Sequence, residues 1–133
     1  VIYGDGETTR DFCYVDNVVE ANLLAMKAEN PEAFGRVYNV GTGERTSLNE
    51  LFAIIKASLI NTYSEGSQPE SIWKLKSIDP EYEPFRQGDV RHSVASIENA
   101  NKYIGYRPRI GMMDAINITC RYLMPRREEK YKA

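Results

Sequence analysis

Apolar residues return every three or four positions along four stretches of the chain. Val18-Val19, Ala21, Leu23-Leu24 and Met26 predict a helix running to Lys27, capped by Asp16 and stopped at Asn30-Pro31. Leu51, Ile54, Ile55 and Leu59 predict a second, opened by Ser47 as N-cap with Glu50 at the third helical position, the pattern of a capping box. Ile97 to Ile104 reads as a third, with Ser96 as cap, Gly105 as stop and Pro108 beyond. Gly111 to Met124 reads as a last amphipathic helix.

Between these lie short runs of strand character. Val1-Ile2-Tyr3 is β-branched and aromatic and runs into a Gly-Asp-Gly turn, and Asp11 to Val15 forms another short candidate. Arg36 to Val40 reads as a buried strand ending in Gly41-Thr42-Gly43. Residues 61–71 are polar, with Gly66 and Pro69, and predict an exposed loop. The alternation from Ile72 to Ile78 then predicts a half-buried strand, followed by an acidic loop from Asp79 to Pro84 that leads to Arg86. The sum is a small mixed α/β fold, with three or four helices and a few short strands rather than a complete doubly wound sheet. It occupies residues 1–124 and is followed by a charged tail over residues 125–133.

The bulk properties narrow the function classes. With 133 residues the chain suits one domain with a modest core. A formal charge of −2 argues against nucleic acid as the main partner, because binding a phosphate backbone needs a basic face. Cys13 and Cys120 have no metal-ligand spacing and are too few for a disulfide framework, so a reducing compartment is expected and no metal site is predicted. No apolar run approaches a membrane span and no signal-peptide pattern opens the chain, which points to a cytoplasmic setting. The chain begins at Val1, directly in a strand-like triplet, and reads as part of something longer.

The richest chemistry lies in Pro84-Phe85-Arg86-Gln87-Gly88-Asp89-Val90-Arg91-His92-Ser93. An arginine fork suits a phosphate, a carboxylate accepts from a ribose hydroxyl, and the intervening glycine permits an unusual φ or a close approach to a ligand. Read locally, the same tetrapeptide is also a surface turn with an incidental ion pair. Arg10 carries a similar ambiguity, between a phosphate ligand and a surface pair with Asp11 or Asp16. His92, the only histidine, has no nucleophile near it in sequence to activate, so it reads as a polar wall or surface residue. Gly41-Thr42-Gly43 lacks the third glycine and the first-strand position of a dinucleotide fingerprint and is rejected as one.

Four ordered motifs decide between these readings: Gly4 to Val19, Tyr38 to Gly43 with Ser47-Leu48, Pro84 to Ser93, and Ile104 to Pro108. Together they resemble the C-terminal half of an extended short-chain dehydrogenase/reductase of the NAD-dependent epimerase/dehydratase family. Within that family they are most similar to the UDP-N-acetylglucosamine 4-epimerases of bacterial polysaccharide synthesis. The resemblance implies that the Val1 to Tyr3 backbone pairs with uracil while Tyr3 lies against the base. It implies that Arg10 and Arg86 reach the diphosphate from opposite sides, that Asp89 meets the ribose, and that Ser93 leaves room for an N-acetyl group beside the hexose. Where the family usually carries a second aspartate, this chain has Asn17, a departure that does not touch the ligand positions.

The family's chemistry transfers hydride from sugar C4 to NAD and back to the opposite face, using a Tyr-x-x-x-Lys pair and an N-terminal glycine-rich nucleotide fold. No tyrosine here has a lysine four residues on, and there is no Gly-x-x-Gly-x-x-Gly. The expectation is therefore a UDP-sugar-binding portion without catalytic residues, lacking its Rossmann partner. The parent would be a homodimer whose contacts lie mainly outside this chain. The 18–27 helix is expected to pack on that partner and, without it, to leave an apolar patch that self-associates. Two other readings stay open: a dehydratase, decarboxylase or reductase of the same superfamily, and a non-catalytic binding domain.

Overall fold

The computed structural model describes residues 1–65 and 69–123. Its elements are β1 (Ile2–Tyr3), β2 (Thr9–Arg10), α1 (Val15–Met26), a 3-10 turn (Pro31–Ala33), β3 (Thr46–Ser47), α2 (Leu48–Glu65), α3 (Pro69–Lys76), β4 (Tyr82–Glu83), α4 (Glu98–Ile104) and α5 (Met112–Leu123). The expected small mixed α/β architecture is present. The described residues form two compact units, one of residues 1–7, 47–65, 69–89 and 113–123, the other of residues 8–46 and 90–112.

In the first unit β1 and β4 pair in parallel, Ile2 opposite Tyr82 and Tyr3 opposite Glu83. β4 lies in the acidic stretch after α3 that was expected to be loop. Helix α2 is opened by the predicted capping box: the Glu50 N–H donates to Ser47 Oγ at 3.2 Å and the Ser47 N–H to Glu50 Oε2 at 2.7 Å. Hydrogen bonding from the Ser47 N–H, then from the Ser47 side chain, also draws the Glu50 carboxyl below its usual range.

Two expectations in this unit fail. Residues 61–71 are not a continuous loop, because α2 runs to Glu65 and α3 starts at Pro69; residues 66–68 lie outside those described. Residues 72–76 are helical, not a strand. Proline suits the first turn of a helix, Glu70 sits at the N-terminal end, and Lys74 and Lys76 sit at the C-terminal end where the helix dipole favours cations. Ile72 and Leu75 are half-buried at a spacing of three, while Trp73 is exposed. The apparent alternation came from counting Trp73 and the lysines as parts of a pleat.

In the second unit Ala21, Ala33, Ala100, Ile104 and Tyr106 form the core, with Leu24, Tyr38, Val40, Ile97 and Tyr103 packed against it. Helix α1 starts earlier than expected. Its N-cap is Tyr14, with no side-chain cap bond, so Asp16 is not the cap but an acidic residue of the first turn, favourable to the dipole there. Likewise Ser96 does not cap α4, whose N-cap is Ile97 without a side-chain bond. Gly105 does close α4 as expected, its N–H reaching Asn101 O while the Tyr106 N–H reaches Ala100 O.

Asn17 is 1 % exposed and holds the 109–110 segment to α1. Its Oδ1 accepts from the N–H groups of Arg109 and Ile110 at 3.0 and 3.1 Å, and its Nδ2 donates to Ile110 O at 2.8 Å. Residues 36–40 are extended but pair with no strand among the described residues, and Val37 is 89 % exposed. Only Tyr38 and Val40 turn inward, so the segment is half-buried instead of buried. Asp11 to Tyr14 is likewise not a strand. The far face of α1 leaves Val15, Val19, Leu23 and Met26 exposed. The tail from 125 lies outside the described residues.

Candidate functional site

In the first unit the β1/β4 pairing fixes where the central loop begins. The Ile2 N–H donates to Glu81 O at 2.7 Å and the Gly4 N–H to Glu83 O at 2.8 Å, so the residues following β4 run beside β1. Tyr82 is anchored in turn by its hydroxyl, which donates to Asn49 Oδ1 at 2.9 Å, and the Asn49 amide reaches Asp5 O and Glu7 Oε1 at 3.1 and 2.8 Å.

Phe85 then lies on Gly4. A Cβ at that glycine would stand 2.2 Å from the ring, and the residue has φ of 85°, so both space and backbone demand glycine. Arg86 comes next and stacks its guanidinium over Tyr3, 3.7 Å from the ring centroid. The chain turns at once: the Asp89 N–H donates to Arg86 O at 3.3 Å, with Gly88 at φ of 82° in the position where a type II turn needs it. The turn returns Asp89 towards Arg86. Hydrogen bonding to the Tyr3 side chain, with the charges of Asp89 and Glu83 adding, holds the Arg86 guanidinium more firmly protonated than usual. Four of the six predicted positions thus lie in one unit: Val1 exposed at the start of β1, Tyr3, Arg86 and Asp89.

The other two, Arg10 and Ser93, lie in the second unit, and a shared backbone interaction brings them together. Thr9 bridges His92 in parallel, the Thr9 N–H donating to Arg91 O at 2.9 Å and the Ser93 N–H to Thr9 O at 3.2 Å. Thr9 Oγ1 and His92 Nδ1 stand 3.0 Å apart, which makes His92 a clasp between the two segments. Arg10 Nη1 donates to Thr9 O at 2.8 Å and to Val90 O at 2.6 Å, so its guanidinium is held at the edge of the same loop. Both segments therefore present their predicted residues from one bridge.

Asp11 is a residue the sequence reading undervalued. The sequence offers it as a surface partner for Arg10 and as the start of a short strand. Instead its carboxylate accepts from the Thr42 N–H and hydroxyl at 2.8 and 2.6 Å, the Gly43 N–H at 3.0 Å and the Ala95 N–H at 3.3 Å. Partial burial works to raise the pKa of Asp11 but is outweighed by these donors, which together hold it below the usual carboxylate range. The Gly41-Thr42-Gly43 loop thus directs its N–H groups at an internal carboxylate. Beneath it the buried Tyr106 hydroxyl donates to Gly41 O at 2.8 Å, and burial, then the neighbouring Cys13, push the phenol pKa up. Only the loop's short Gly-x-Gly spelling hinted at an anion, and the anion is Asp11.

With this geometry in hand, the likeness to known proteins is informative. The sequence model of the GDP-mannose 4,6 dehydratase family matches residues 1–119. The chain belongs to that family. This places it among the epimerases and dehydratases of the extended short-chain dehydrogenase/reductase class, as the four motifs implied. It is 33% identical over 121 residues to a UDP-glucose 4-epimerase of Mycolicibacterium smegmatis, covering 91% of this chain and 33% of that protein. Its fold is similar to that of a Thermotoga maritima UDP-glucose 4-epimerase solved with UDP-glucose, at a TM-score of 0.74 and 35% identity, covering 94% of this chain and 34% of the other. A UDP-N-acetylglucosamine 4-epimerase from Methanobrevibacter ruminantium, solved with UDP-N-acetylmuramic acid, matches at a TM-score of 0.72 and 31% identity, over 94% and 34% of the two chains. The chain spans about a third of the length of these family members.

Proposed function

We propose that this chain is the substrate-binding portion of an NAD-dependent nucleotide-sugar 4-epimerase, taking UDP-sugars and preferring the N-acetylated ones. The observation that carries the reading is the Arg86 to Asp89 turn placed against Tyr3. A cation, a carboxylate and an aromatic face, brought together by one strand pair and one turn, are the three chemistries that a diphosphate, a ribose and a base require. Val1 and the β1 backbone serve the uracil edge, Tyr3 the base, Arg86 and Arg10 the diphosphate, and Asp89 the ribose. Ser93 stands beside the hexose and leaves room for an N-acetyl substituent.

The residues of this chain do not fit the NAD itself. The Gly41-Thr42-Gly43 loop spends the N–H groups of Thr42 and Gly43 on Asp11, so no step of hydride chemistry is assigned to these residues. In this reading the nucleotide fold and the acid/base pair belong to the rest of a longer protein, a homodimer working in the cytoplasm. The exposed Val15, Val19, Leu23 and Met26 of α1 fit a helix that packs against that fold, and that self-associates when the fold is removed.

A second reading, dehydration of a nucleotide-diphosphate sugar, is favoured by the description of the matching family. Incubating the full-length protein with UDP-N-acetylglucosamine and analysing the product separates the two. The epimerase reading expects UDP-N-acetylgalactosamine of unchanged mass, with Ser93→Phe losing this substrate in favour of UDP-glucose. A product lighter by one water overturns it in favour of the dehydratase.

A further inference from the structure

Arg86 and Tyr3 are assigned to different parts of one ligand, yet in the structure they are each other's partner. At 3.7 Å from the centroid the guanidinium is in stacking contact with the ring. A stacked guanidinium and a stacked pyrimidine need the same kind of surface, a planar π face at van der Waals distance. The arrangement is imposed by its supports. The β1/β4 register sets Tyr3 opposite Glu83, Phe85 is seated on Gly4, and the turn closed by Asp89 N–H to Arg86 O fixes the backbone on the far side of Arg86.

We propose that Arg86 caps the Tyr3 ring and competes there with a pyrimidine base, so that binding a uridine nucleotide draws Arg86 off the ring and onto the diphosphate. The inference rests on the UDP-sugar reading of this site. It makes the diphosphate the part of the ligand that opens the base position: a nucleoside alone must displace the guanidinium and gives it nothing in return. A nucleoside diphosphate supplies the displaced cation with a stronger, charge-assisted partner. Discrimination against uridine in favour of UDP is then built into two side chains instead of into a separate lid.

The test compares uridine with UDP on the full-length protein by calorimetry, in wild type and in Arg86→Ala. The expected result is a change of opposite sign: uridine binds about two- to five-fold tighter to the variant because the ring is uncapped, while UDP binds at least about ten-fold weaker because the diphosphate loses its cation. In Tyr3→Leu the gain for uridine on removing Arg86 disappears, as a coupling between the two residues requires. Should Arg86→Ala fold poorly, Arg86→Gln gives the same comparison. If UDP binds the wild type but uridine binds the variant no better, the capping proposal is overturned and the UDP-sugar reading stands. If UDP does not bind the wild type at all, both fall.

Discussion

The carboxylate of Asp11 clasps Thr42 through both its N–H and its hydroxyl, and thereby ties the segment that carries Arg10 to the Gly41-Thr42-Gly43 loop. The same carboxylate reaches Gly43 and Ala95. Replacing it by an amide of equal size, Asp11→Asn, turns an NH2 group towards backbone donors that need an acceptor. The expected loss is about 1–3 kcal/mol at neutral pH, read by chemical denaturation.

The same residue predicts a pH dependence. Its folded pKa is depressed, so the unfolded chain binds the proton more tightly. The stabilisation is fully present above the unfolded value of about 3.9 and drains away as pH falls through the lower folded value. The stability gap between wild type and Asp11→Asn should therefore be constant near neutrality and narrow towards pH 3. A gap that widens on acidification would contradict the assignment.

Asn17 gives a prediction of the opposite sense. Its amide donates to Ile110 O while its carbonyl accepts from two N–H groups, a division of labour that an ionised carboxylate cannot perform. Asn17→Asp should cost about 1–3 kcal/mol at pH 7, through the lost donor and a buried charge facing a carbonyl. Lowering the pH should recover much of this, because a protonated carboxyl donates again. Thermal melts of variant and wild type at pH 7 and 4.5 check the recovery.

The two glycines of the site separate conformational strain from collision. Both have positive φ, but a Cβ at Gly88 meets nothing within 4 Å whereas one at Gly4 runs into Phe85. Gly88→Ala should cost about 1–2 kcal/mol from backbone strain alone. Gly4→Ala should cost clearly more and should also weaken nucleotide binding, since Phe85 precedes Arg86. Equal losses in the two variants would mean that the Phe85 ring yields freely.

The helices were legible where local rules govern them, and the capping box at Ser47 and Glu50 formed as written because its partners are three residues apart. Asp16 and Ser96 had the right chemistry for caps, but Tyr14 and Ile97 took those places, so that α1 and α4 begin without a side-chain cap. Strand pairing was not legible. β4 has two residues and exists because Ile2 and Tyr82 meet across the fold, a partnership eighty positions apart that no period reveals. For the same reason the motifs could nominate candidate residues one by one, while the Arg86 to Tyr3 stack and the four bonds of Asp11 could not be read from them. Each depends on distant segments arriving at the same point. Asn17 shows the limit most plainly: the sequence marks it only as a departure from the family pattern, and it is among the most buried polar groups described.

In the proposed function these residues hold the UDP part of a nucleotide sugar. The most direct measurement is a calorimetric titration of UDP into the full-length protein, beside Arg10→Ala and Arg86→Ala. Saturable binding with one UDP per chain is expected, weakened at least about ten-fold by either substitution because each removes a cation from the diphosphate. Binding that is untouched by both substitutions, or no binding of UDP at all, would contradict the proposed function.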